Sequence, residues 1–158
     1  HYLLPAGDMT YSFDSGYGGY MNIMYSRFAY TGLTFGFSGG YNIFKAKHTI
    51  YDSYTMIPVL LRIEYMYSLR DFHISAHGAF GFSHNEVKYS RVADIPLYNL
   101  LGLTDDEKTQ PVVNCGIAVK YVFAHNYFIT AEAGYNAVIE NNWNVQFWSF
   151  GGGLGFNF

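Results

Sequence analysis

The sequence predicts an all-β protein, a transmembrane antiparallel up-and-down β-barrel of eight strands, with residues 1–158 forming one domain. Three observations predict it. Apolar residues recur at every second position through most of the chain, the period of a strand with one greasy face. The composition is 20% aromatic and 13% charged, with 17 glycines in 158 residues, and leaves too little charge to coat a soluble domain of this size. No run of eighteen apolar residues exists, so a spanning helix is excluded while spanning strands are not.

The elements follow in chain order. Residues 1–16 alternate weakly, because Pro5, Gly7 and Asp8 interrupt the pattern and Met9, Tyr11 and Phe13 alternate with Thr10 and Ser12. A short first strand is expected within residues 1–13. Over residues 17–25, Tyr17, Met21, Ile23 and Tyr25 share one face. After a turn at 27–30, Leu33, Phe35, Phe37, Tyr41 and Ile43 alternate with Thr34, Gly36, Ser38, Gly40 and Asn42. Residues 44–53 break the pattern with charges and read as a loop. Residues 56–67 place Ile57, Val59, Leu61, Ile63, Tyr65 and Tyr67 on one face and Arg62 and Glu64 on the other. A tight turn at 68–71 leads to Phe72, Ile74, Ala76, Phe80 and Phe82, with His73, Ser75, His77 and Ser83 opposite. Pairing Tyr67 with Phe72 sets Arg62 against His77 and superimposes the two greasy faces.

Residues 89–111 read as a long irregular segment. Within it, residues 94–102 carry Asp94, Pro96 and Gly102, the punctuation of one or two helical turns. Strand pattern returns with Val113, Cys115, Ile117, Val119, Tyr121 and Phe123. After a turn at 124–126 it continues with Tyr127, Ile129, Ala131, Ala133, Tyr135 and Ile139, against Thr130, Glu132, Gly134 and Asn136. A polar loop at 140–144 precedes residues 145–158, where Trp148, Phe150, Leu154, Phe156 and Phe158 alternate with Ser149, Gly151, Gly153, Gly155 and Asn157. Seven strands are read directly. Single-chain bacterial barrels have an even number, so the eighth is assigned to residues 1–13.

Charge placement decides which face is outside. Arg62, Glu64, Lys120 and Glu132 lie well within strands, all on the face of small and polar residues. A soluble barrel would put that face outward and be thinly coated; a membrane barrel puts it inward. Aromatics at strand ends, such as Tyr25, Tyr67, Phe72, Phe123, Tyr127 and Trp148, suit interfacial girdles. Connections alternate short (27–30, 68–71, 124–126) and long (44–53, 89–111, 140–144), the periplasmic and extracellular habit of such barrels.

The final alternating strand, with Leu154, Phe156 and a terminal Phe158, resembles the closing strand of small bacterial outer-membrane barrels of the OmpA, OmpX and OmpW types. The resemblance implies an outer-membrane location. It also implies that Leu154, Phe156 and Phe158 form the signal read by the barrel-assembly machinery. It makes membrane lipids, including lipopolysaccharide or an equivalent, standing partners.

Candidate site residues are few. Arg62, Glu64, His77, Lys120 and Glu132 form an interior polar network, read as ion pairs filling the lumen because an unpaired buried charge is costly. His73 and His77 are about 13 Å apart along a strand and cannot share a metal or a proton. His84, Asn85 and Glu86, near a loop end, are the better-placed trio for enzyme chemistry, although polar residues at a loop margin are common. Leu97, Tyr98, Leu100 and Leu101 form an apolar segment in a charged loop, which reads either as local packing over the barrel mouth or as a docking site for a protein partner or lipid headgroup.

No catalytic set, metal site or cofactor is expected. The single Cys115 falls on the apolar face and has no zinc-type spacing around it. The net charge of −3 argues against nucleic acid. The start at His1 and Tyr2 lacks the features of a signal peptide, so an exported protein would carry this chain in mature or trimmed form.

The leading functional expectation is a non-enzymatic barrel acting through its extracellular loops, as a structural or interaction protein or a subunit of an envelope complex. The alternatives are a narrow or hydrophobic-solute conduit and a lipid A-modifying enzyme.

Overall fold

A computed structural model describes residues 1–25, 32–47, 51–89, 106–123, 126–139 and 145–156. The strands are β1 (Tyr2–Ala6), β2 (Phe13–Tyr25), β3 (Leu33–Ala46), β4 (Tyr51–Leu69), β5 (Phe72–Tyr89), β6 (Asp106–Phe123), β7 (Tyr127–Val138) and β8 (Val145–Phe156), with a single helical turn α1 (Met9–Ser12) between β1 and β2. Each strand pairs antiparallel with its sequence neighbour, and β1 pairs with β8, so the sheet closes as an eight-stranded up-and-down barrel. Where β1 lies between them, along Gln146–Phe150 of β8 and Gly16–Tyr17 of β2, closure pairs backbone groups that an open sheet would leave at its edges.

The first strand lies within residues 1–13, at Tyr2–Ala6. The alternation of Met9, Tyr11 and Phe13 is not part of it. Gly7, at φ +56°, turns the chain, and Met9–Ser12 forms α1, with Thr10 N and Thr10 Oγ1 both donating to Gly7 O. Proline is tolerated in β1 at Pro5 because at that point the strand pairs with β8 alone, as an edge strand would. Its register runs from Tyr2 opposite Phe150 to Ala6 opposite Gln146 on one side, and Tyr2 opposite Tyr17 on the other.

Three expected boundaries move outward. Residues 44–46 extend β3 and residues 51–55 extend β4, so the loop expected at 44–53 shrinks to a few residues. The irregular segment expected at 89–111 gives up Asp106 onward to β6. Charge misled the reading here, because Lys45, Glu107 and Lys108 sit on strands. The β4–β5 hairpin also differs by two residues: Leu69, not Tyr67, pairs with Phe72, and Glu64, not Arg62, faces His77. A two-residue slip preserves which face each side chain takes, so the greasy faces still coincide. The tighter turn costs Arg70 a left-handed φ of 54°.

Outward positions along every strand are apolar and open: Met21 is 73% exposed, Phe82 63%, Val59 62% and Leu154 82%. A surface of this kind belongs against hydrocarbon, since soluble monomers rarely expose apolar patches beyond a few hundred Å². At the short-turn end of the barrel, Tyr25, Tyr67, Phe72, Tyr121, Phe123, Tyr127 and Phe156 form one aromatic ring, with the Phe72 and Tyr121 rings tilted at 4.9 Å and Tyr127 5.1 Å from Phe156. Toward the loop end, Tyr2, Tyr17, Tyr41, Tyr135 and Trp148 form a second, with Tyr135 and Trp148 4.9 Å apart. On β5 the apolar outer face runs from Phe72 to Phe82, about 33 Å of strand at roughly 3.3 Å per residue, or about 25 Å along the normal at a tilt of about 40°. That is the height of an outer-membrane apolar band.

Candidate functional site

Beyond Phe82 the barrel reverses its polarity. The outer face of β5 continues as His84, Glu86 and Lys88, and that of β6 carries Glu107 and Thr109 above Pro111 and Val113. The inner face changes in the opposite sense. On β4 it runs from Glu64 and Arg62 to Leu60, Met56 and Tyr54. Below the second aromatic ring the barrel is polar inside and apolar outside; above it, a collar of the same strands is apolar inside and polar outside.

The collar core contains Leu3, Met9, Phe13, Phe44, Tyr54, Met56, Val112, Val138, Val145 and Phe147, all essentially buried. Phe44 meets Phe147 edge-on at 5.0 Å, and Tyr54 lies 5.5 Å from Phe13 and 6.0 Å from Phe44. Helix α1 supplies Met9 to this core. Side chains on a turn expected to be strand thus close the lumen from the loop end. This core was missed at the sequence level. Its signal is the doubling of apolar residues where alternation lapses, at Ile43–Phe44, Leu60–Leu61, Val112–Val113 and Phe147–Trp148, where one residue faces the interior and its neighbour faces out.

Below the core lies a belt of hydrogen-bonded polar side chains. Asn114 Nδ2 donates to Asn136 Oδ1 at 2.9 Å, Asn136 Nδ2 to Ser149 Oγ at 3.2 Å, and Asn42 Nδ2 to Tyr20 Oη at 2.6 Å. On the β5–β6 side the polar chain rises to the level of the core itself: Ser83 donates to Asn85, which pairs with Met56, and Asn85 donates to Gln110, on the loop side of Val112. A residual cavity bounded by Tyr20, Leu60, Arg62, Asn114, Glu132 and Ser149 is large enough for about one water.

The charged network fills the barrel beneath. Arg62 reaches across the lumen and donates through both terminal nitrogens to Glu132, at 3.1 and 3.3 Å, a bidentate fork. Its Nη2 is also 3.4 Å from Glu64 Oε2. Lys120 donates to Glu64 Oε1 and lies over the Phe128 ring, 5.7 Å from its centroid. His77 Nε2 lies 3.4 Å from Glu132 Oε1. The structure therefore brings Arg62, Glu64, His77, Lys120 and Glu132 together, but exchanges partners relative to the pairing that strand proximity suggests. Arg62 reaches from β4 to Glu132 on β7, and Lys120 on β6 therefore holds Glu64 on β4, past the intervening β5, rather than Glu132 on its neighbouring strand. Two cations oppose two carboxylates, and both Arg62 and Glu64 are buried.

Other expected site residues separate. His73 bonds Ser68 through Nδ1 at 2.7 Å near the short-turn end, away from the network. His84 and Glu86 point outward while Asn85 points inward, so these three do not converge as a catalytic trio. Leu154 and Phe156 lie on the outer face of β8, opposite Ile129 and Tyr127. Phe158 and the segment with Leu97, Tyr98, Leu100 and Leu101 fall outside the described residues. Cys115 is exposed on the outer, apolar face.

No family model matches the sequence, and no curated protein matches it. Among solved structures, the chain is similar to neisserial surface protein A (NspA), with 15% identity, a TM-score of 0.70, and coverage of 99% of this chain and 92% of that one. It also matches the N-terminal β-barrel domain of Pseudomonas aeruginosa OprF, with 12% identity, a TM-score of 0.47, and coverage of 99% and 97%. At these identities, what the chain shares with NspA is the fold: a closed eight-stranded antiparallel barrel.

Proposed function

We propose that the protein is a non-conducting barrel of the bacterial outer membrane that acts non-enzymatically through the outer surface of its collar and its extracellular loops, as an interaction protein or a subunit of an envelope complex. The observation that carries this reading is the double closure of the lumen. The apolar core of Phe13, Phe44, Tyr54 and Phe147 blocks it at one level, and the Arg62–Glu132 and Lys120–Glu64 pairs block it at another. A solute would have to displace both a packed core and a neutralised buried network, each worth several kcal/mol. The similarity to NspA, an outer-membrane barrel, supports the location. The long-loop end is assigned to the cell exterior, which places the collar there.

The conduit reading is tested directly. Purified protein in planar bilayers should give no current above the lipid background at any holding potential. Steady or stepwise conductance would overturn the non-conducting assignment.

A further inference from the structure

We propose that Lys45, Ser53 and Lys88 form a site for one phosphate group of an outer-leaflet glycolipid, on the outside of the collar; this rests on the outer-membrane placement given above. The three residues occupy one row across three adjacent strands. Lys45 on β3 pairs with Ser53 on β4, which pairs with Lys88 on β5. All three side chains take the outward face, and both lysines are exposed. With neighbouring strands about 4.8 Å apart, the lysine Cα atoms are about 10 Å apart. Two ammonium groups on flexible stems can then close on a single anion held above the Ser53 hydroxyl, which can donate a third hydrogen bond.

The charge balance of this row is unusual for the collar. Lys47 is occupied, donating to Thr10 O at 2.7 Å with Asp14 Oδ1 at 3.8 Å. Lys45 has no carboxylate within 4 Å among the described residues. Lys88 has one, Glu86 Oε1 at 3.4 Å. Glu86 faces Glu107 in the row toward the membrane, where His84 Nε2 is 4.0 Å from Glu107 Oε2. These carboxylates exclude a second anion from the lower row and leave the upper one for a single phosphate.

Position selects a lipid. Toward the membrane, the same outer faces carry Ile43 and Tyr41 on β3, Ile57 on β4 and Phe82 on β5. The lysine row therefore stands above the apolar band, two residues past Ile43 on β3, four past Ile57 on β4 and six past Phe82 on β5, where a glycolipid phosphate can meet the ammonium groups while its acyl chains lie lower, on those apolar residues.

The test uses the full chain in lipid nanodiscs, with native mass spectrometry to count retained glycolipid. The probes are phosphorylated lipid A, the same lipid after phosphatase treatment, and inorganic phosphate alone. Charge-assisted contacts to a phosphate contribute on the order of tenfold each. The Lys45→Gln/Lys88→Gln double variant should bind phosphorylated lipid A about 100-fold more weakly, Ser53→Ala a few-fold more weakly, and Lys47→Gln as well as the parent.

Equal retention by the double variant would overturn the site, and so would equal binding of the dephosphorylated lipid or an equal loss in Lys47→Gln. Inorganic phosphate binding as tightly as the lipid would overturn the lipid assignment. These exposed substitutions leave the core untouched, and heat-modifiable gel migration verifies that each variant is folded. Loss of the site without conductance leaves the non-conducting barrel standing, whereas conductance refutes that reading whatever the lipid result.

Discussion

Removal of single charges from the lumen should destabilise the barrel unequally, in an order set by how many partners each residue leaves behind. Arg62 bridges both carboxylates, at 3.1 Å to Glu132 and 3.4 Å to Glu64. Arg62→Met leaves Lys120 to serve Glu64 and strands Glu132 with His77 alone. An uncompensated buried charge costs about 3–5 kcal/mol. Glu64→Gln strands Lys120, which is less buried, rests over Phe128 and can bend toward the short-turn mouth, so the cost is smaller, about 2–3 kcal/mol. Lys120→Met leaves Glu64 held by Arg62 and should cost about 1–2 kcal/mol. The decisive variant is the pair Arg62→Met/Glu132→Leu. It removes one whole bidentate pair, leaves Lys120 and Glu64 intact, and should lie within about 1 kcal/mol of the parent or above it, since replacing a buried pair by apolar residues is often neutral or stabilising. The assay is urea unfolding of protein folded into phospholipid vesicles, followed by tryptophan fluorescence. A coupling energy between Arg62 and Glu132 below about 0.5 kcal/mol, the level expected for unconnected sites, would refute the reasoning that these charges form one neutralised unit.

Two further outcomes follow from positions on β5. Gly81 faces inward, and a Cβ there would collide with the Val59 carbonyl oxygen and the Leu60 Cα at 2.9 Å, both backbone atoms that cannot rotate away; nothing lies within 4 Å of a Cβ at the outward Gly78. Gly81→Ala should therefore cost at least about 1–3 kcal/mol in the same unfolding assay or block folding, while Gly78→Ala should be neutral or slightly stabilising; equal effects would count against the register. Ala76→Lys places a charge near the middle of the apolar band and should cost about 2–4 kcal/mol, whereas His84→Lys, beyond Phe82 on the same outer face, should cost about 0–1 kcal/mol, and a reversed order would put the membrane boundary elsewhere.

The barrel itself was legible because a period of two is unambiguous when one face meets lipid. Leu33, Phe35 and Phe37 against Thr34, Gly36 and Ser38 fix both element type and orientation, and the outward assignments made from such runs fall on exposed residues apart from the half-buried Leu33, Ala133 and Tyr135 among the described residues. The membership of the polar network was also legible, since charged residues within strands have one affordable face. Which cation meets which carboxylate was not, because the pairing of Lys120 with Glu64 is made across the lumen and leaves no trace in local spacing. Boundaries failed for a related reason. Lys45 and Glu107 look like loop residues when every strand is assumed to stop at the membrane surface; they are strand residues because β3 and β6 continue past it.

That continuation changes what the interior can be for. A strand that leaves the bilayer exchanges hydrocarbon for water on its outer face, so its outward residues must become polar, as His84, Glu86 and Lys88 do. The collar then needs its own source of stability, and burial of apolar surface away from water becomes available on the inner face, where Phe44, Tyr54, Met56 and Phe147 take it. Within the membrane the outer face gains little from sequestering side chains that already sit in lipid, and the inner face relies on neutralised charges and hydrogen bonds instead. The two halves are stabilised by different forces, and the junction between them, near Leu60 and Ala79, is closed by both. A barrel built this way has its lumen filled at both levels, by a packed apolar core in the collar and by a charged network within the band.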